Sequence, residues 1–215
     1  MFMKELIVDD VKGLYQKIKS EVLGGYDPEL GLQRVRTTEN LLDFIVGYAY
    51  RSGALNEVMK DLKIKQYCAE ECPKHPKGIG CCNNTFHYKY GIEDPIFLAL
   101  QEVEAINNGW KKPVSVSLEK GSCLYHQDTG CSLNYFEPPQ CLGRLCGAVT
   151  DARVENDDVG YGENLSDKMY QVKCLLDKKG SLNPANFVNI LETMDSAIAL
   201  GRVFISIGWA KLSVN

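Results

Sequence analysis

Eight of the chain's nine cysteines fall between Cys68 and Cys146, in two groups of four. The first group runs Cys68-x3-Cys72-x8-Cys81-Cys82 and the second Cys123-x7-Cys131-x9-Cys141-x4-Cys146, with 40 residues between them. Any centre built from both groups forces the intervening chain to close on itself. No other feature limits the architecture as strongly. Around Cys68 to His87 the helical pattern also stops, because Pro73, Pro76, Gly78 and Gly80 break it, so this stretch reads as a loop.

The flanks read as helices. Leu14, Ile18 and Val22 repeat every four residues behind a cap at Asp9 or Asp10, and Gly24-Gly25 stops them. A second helix places Leu41, Leu42, Ile45, Val46 and Ala49 on one face behind Thr37 and Thr38. A third places Leu55, Val58, Met59 and Leu62 together. Between the cysteine groups, Asp94-Pro95 opens a helix with the stripe Ile96, Leu100, Val103, and Asn108-Gly109 closes it. Val114, Val116 and Leu118 alternate as a strand, and "CLYHQDTGCSLN" suggests a hairpin turning at Asp128 to Gly130. After a linker over residues 154–164, Leu165, Met169, Val172 and Leu176 define one stripe. Phe187, Ile190, Leu191, Met194 and Ile198 define another, starting at Asn183-Pro184. The apolar tail "RVFISIGWAKL" is expected to pack.

The expected fold class is therefore mainly α with minor β: helices flank a central loop-rich, cysteine-rich metal-binding segment with a short hairpin. The organisation is an N-terminal helical segment (1–66), the cysteine segment (67–150) and a C-terminal helical segment (151–215), forming one compact domain. The two helical flanks are expected to pack together and hold the cysteine segment between them.

Thiolate is a soft ligand that favours zinc, cuprous copper or iron–sulfur clusters. The metal ligands read from the sequence are Cys68, Cys72, Cys81, Cys82, Cys123, Cys131, Cys141 and Cys146. A tetrahedral zinc site of the knuckle type pairs closely spaced cysteines, and the chain has no C-x2-C. An iron–sulfur cluster, including a 4Fe-4S cubane, spreads its iron corners and accepts irregular spacing more readily. Adjacent side chains point apart, so Cys81 and Cys82 reach different irons or different centres, or only one of them binds. One centre and two centres both fit the spacing. His75, His87 and His126 read as outer donors or surface residues rather than ligands, and Cys174 as a thiol lying opposite its helix's apolar stripe. Tyr135 and Phe136 are expected to shield the metal from water, Arg144 reads as a surface arginine, and "GYG" at 160–162 reads as a turn. No catalytic residue is legible.

"CAEECPKHPKGIGCC", followed by "CLYHQDTGCSLNYFEPPQCLGRLC", resembles the YkgJ-type cysteine-cluster family of zinc- or iron-chelating proteins. Cys68 and Cys72 match that family's opening pair, Cys81 and Cys82 its doublet. Cys123 with Tyr125, then Gly130, Cys131 and Leu133, then Pro138 and Cys141 match its later elements. The correspondence covers residues 68 to about 146. Glu137 and Leu142 stand where the family has arginines, so no role is carried over from those arginines. The similar segment of flagellin lysine N-methylases implies an alternative, a protein lysine methyltransferase-like enzyme dependent on S-adenosylmethionine. A zinc-pinned scaffold for protein interaction is a further alternative.

Composition narrows the classes. A formal charge of −4 and a pI near 5.5 argue against a nucleic-acid binder. No apolar run approaches the roughly 20 residues that cross a bilayer, so no membrane partner is expected. The acidic N-terminal stretch lacks a secretory pattern, which points to the cytoplasm, where clustered cysteines serve as metal or redox groups. The function expected is a metal-binding protein with a redox, sensing or metal-handling role and an unidentified protein or redox partner.

Overall fold

The structure, a computed structural model, describes residues 8–62, 95–110, 125–127, 130–138, 141–142, 161–176 and 182–206. These residues form a mainly helical fold with minor β structure. Its helices are α1 (Val8–Leu23), α2 (Pro28–Thr38), α3 (Leu41–Asp61), α4 (Pro95–Asn107), α5 (Tyr161–Leu176) and α6 (Phe187–Ser206). The hairpin pairs β1 (His126–Gln127) antiparallel with β2 (Gly130–Cys131), opposing His126 to Cys131 and Gln127 to Gly130. The hairpin thus sits where the sequence places it. The alternating stretch Val114 to Leu118 lies outside the described residues.

Several helix boundaries differ from the sequence expectation. α1 starts at Val8, so the cap expected at Asp9 or Asp10 falls inside its first turn, where the Asp10 carboxylate still complements the helix dipole. α2 was not anticipated. The Asp27 carboxylate accepts hydrogen bonds from the amides of Glu29 (2.9 Å) and Leu30 (3.1 Å), and Pro28 begins the helix. Thr37 and Thr38 therefore end α2, while Asn40 caps α3 through the amide of Leu42. α3 is one helix of 21 residues where two were expected. Gly53 does not stop it; a side chain there would sit 3.1 Å from the Tyr135 ring, so the glycine makes room for the cysteine segment. The residues Tyr161 and Gly162, expected in a turn, open α5 instead.

The two flanks meet through α6, which packs against α3, α5 and α2, while α1 packs on α4 and α3. All the stripe residues of α5 and α6 named above are buried. The α3–α6 interface is close. Phe44 stacks on Phe187 with centroids 4.0 Å apart, and a Cβ at Gly201 would lie 2.4 Å from Val58 Cγ1. Valine is stiff at χ1 in a helix, so glycine is what permits this approach. Arg51, fully buried on α3, donates from Nε and Nη2 to the two carboxylate oxygens of Asp195 on α6 at 2.9 and 2.7 Å. Its remaining donors reach the carbonyls of Gly47 and Pro28, which ties α2 into the same joint. Among the described residues no helix is long and apolar enough to cross a membrane.

Candidate metal centre

Two of the eight predicted ligands are described. Cys131 ends β2, and Cys141 sits in a short helical turn; both thiols are half-buried. Cys68, Cys72, Cys81, Cys82, Cys123 and Cys146 lie outside the described residues, as do His75, His87 and Arg144. Among the described residues, no three His, Cys, Asp or Glu side chains gather into a metal-holding group.

The backbone after Cys131 is held by hydrogen bonds at most of its described residues up to Pro138, and again at Cys141 and Leu142. Ser132 donates from its amide and its hydroxyl to the Tyr125 carbonyl, each at 2.9 Å, and its own carbonyl accepts from Asn108 Nδ2 at 2.7 Å. The Asn134 carbonyl accepts from Asn56 Nδ2 and from Ser52 Oγ. The amides of Asn134, Tyr135 and Phe136 all donate to the Glu104 carboxylate, at 3.0, 2.9 and 3.0 Å. Gln101 Nε2 donates to the Phe136 carbonyl at 2.8 Å, and the Tyr48 hydroxyl to the Glu137 carbonyl at 3.0 Å. Finally, the amides of Cys141 and Leu142 donate to the Pro138 carbonyl at 2.8 and 3.1 Å.

Apolar packing seats the same loop. Phe136 is fully buried, edge-on to Phe97 at 6.1 Å and near the Tyr15 ring at 6.2 Å. Leu142 is buried in the same core, while Tyr135 packs against it half-buried. Phe136 therefore anchors the loop in the helical core. A smaller cluster of Ala105, Trp110, Tyr125 and Leu133 packs beside Cys131.

Burial dominates the electrostatics here. It pushes the Glu104 carboxyl up to about 7, although the three backbone amides favour its charged form; Glu137 nearby pushes it up further. Burial also holds the Tyr48 phenol neutral, far above its ordinary titration range. Cys174 lies half-buried on α5, among helices rather than on the cysteine loop.

The sequence reading missed the residues that hold this loop. Tyr48, Ser52 and Asn56 follow one another at spacings of four along α3, and Gln101 and Glu104 are three apart on α4. Those spacings put each set on one helix face. The available signal was polar residues interrupting otherwise apolar helices.

Comparison of the chain with protein-family models, with curated proteins and with solved structures finds no match.

Proposed function

We propose that this chain is a metal-binding protein in which thiolates from both cysteine groups hold an iron–sulfur cluster or zinc, with a redox, sensing or metal-handling role. One observation carries the reading. Two of the candidate thiols, Cys131 and Cys141, both half-buried, flank residues 134–137, whose backbone is pinned by buried side chains of α3 and α4. A metal site requires its ligand atoms within a few tenths of an ångström of set positions. Soft sulfur donors suit zinc or an iron–sulfur cluster, and a reducing compartment such as the cytoplasm keeps them available as ligands. When bound, a cluster would supply one-electron chemistry and zinc a structural tie between distant segments.

The test is anaerobic purification followed by elemental analysis and a visible spectrum. Iron with acid-labile sulfide and a brown colour identifies a cluster, and zinc in a colourless protein identifies the structural alternative. Protein that emerges fully reduced and metal-free, and takes up neither metal on reconstitution, overturns the proposal.

A further inference from the structure

The three consecutive amides of Asn134, Tyr135 and Phe136 converge on one carboxylate. Such an amide nest commonly receives an external anion. Here the group that fills it is the Glu104 carboxyl, supplied by α4 and completely buried. Two neighbours reinforce the arrangement at a cost to themselves. Asn56 and Gln101 each donate from the side-chain amide to a carbonyl of this loop, and each leaves a buried oxygen, Asn56 Oδ1 and Gln101 Oε1, with no hydrogen-bond partner among the described residues. An unsatisfied buried acceptor is destabilising. All three side chains thus act on the few residues midway between Cys131 and Cys141.

We infer that Glu104 is a positioning residue for the metal site: by gathering the three amides it fixes where Cys131 and Cys141 present their sulfurs. This rests on the metal-binding reading above and assigns the geometry of that site to a residue outside the cysteine segment. Removing such an outer partner typically weakens metal binding 10- to 100-fold. Glu104→Gln is the informative change. Its amide keeps one acceptor oxygen, able to serve Asn134 and Tyr135, but turns an NH2 group toward the Phe136 amide that the second oxygen served.

The experiment titrates reduced full-length protein with cobalt(II) alone, anaerobically, and records both affinity and the visible thiolate–cobalt spectrum. The wild-type chain is expected to bind with an intense thiolate-to-cobalt band. Glu104→Gln is expected to bind about 10- to 100-fold more weakly with a shifted band, and Glu104→Asp to fall between the two. Leu191→Ala, a truncation buried in α6, serves as the control that lowers stability while leaving affinity and spectrum unchanged. A folded Glu104→Gln with wild-type affinity and spectrum overturns the positioning role and leaves the metal-binding reading standing. Wild-type protein that takes up no cobalt overturns both. Should Glu104→Gln not fold, Glu104→Asp replaces it, shortening the reach to the same three amides while keeping the carboxyl. Unchanged binding and spectrum in that variant equally overturn the inference.

Discussion

The two sides of α3 are built by different physics. One side meets α6 through area and shape: the Phe44–Phe187 stack, the Gly201–Val58 approach, and a single buried arginine joined to Asp195. The other side meets the cysteine loop through directed hydrogen bonds from Tyr48, Ser52 and Asn56, joined by Gln101 and Glu104 of α4. Apolar burial is non-directional and supplies most of the stability. Buried hydrogen bonds give less net stability each but fix position, because a displaced partner is left unsatisfied. The helical joint therefore holds the protein together, and the polar seam decides where the loop sits.

If that division is right, changes on the two sides separate. The largest loss of stability is expected from Phe187→Ala, which removes a fully buried ring from the α6 side of the stack. About 3–5 kcal/mol should be lost in denaturant unfolding, with metal affinity of the folded fraction unaltered. A change in affinity would erase the separation.

The next effect lies in the seam and depends on pH. Burial raises the Glu104 carboxyl from 4.5 to about 7, so the folded protein holds that proton more tightly than the unfolded chain. Its contribution is fully present below about pH 4.5 and is lost as pH rises through about 7, by about 3 kcal/mol in all. Unfolding curves across this window should fall more steeply for wild type than for Glu104→Gln. Parallel curves would show that the carboxyl titrates alike in both states.

A pair of changes of equal or smaller size probes the ion pair of the apolar joint. Asp195→Ala strands a buried guanidinium and should cost about 3 kcal/mol, whereas Arg51→Met replaces the charge with apolar volume and should cost about 1 kcal/mol. Reversal of that order in thermal unfolding would mean that Arg51 counts mainly through its bonds to Gly47 and Pro28. The smallest effect belongs to Cys174→Ser. This thiol stands on α5 apart from the cysteine loop, so stability should stay within about 0.5 kcal/mol and metal content should not change.

The apolar joint was far more legible in the sequence than the seam. Leu165, Met169, Val172 and Leu176, or Phe187, Ile190, Leu191 and Met194, repeat at helical spacing because one face is buried, and the structure buries them all. Punctuation was read unevenly. Asn183-Pro184 opens a 3-10 turn that runs into α6, Asp27-Pro28 carries the same cap-and-proline signal at the start of α2, and α3 continues through Gly53 because both of its sides are packed. The hairpin around Cys131 was readable from Asp128 to Gly130. Glu104 was not. A glutamate on a helix ordinarily faces water, and only the fold brings the amides of residues 134–136, some 30 positions away, onto its carboxylate. The candidate ligands themselves are visible as a pattern of thiols, but whether such thiols converge is decided by tertiary structure, which spacing does not specify.

The most direct measurement is X-ray absorption at the edge of whichever metal the anaerobically purified protein retains, compared between wild type, Cys81→Ser, Cys82→Ser, Cys131→Ser and Cys141→Ser. A sulfur shell near 2.3 Å that loses occupancy, or loses its metal, on substitution in either cysteine group is the expected result. A wild-type shell of nitrogen and oxygen alone, or a sulfur shell untouched by every substitution in one group, would contradict a site shared between the two halves of the chain.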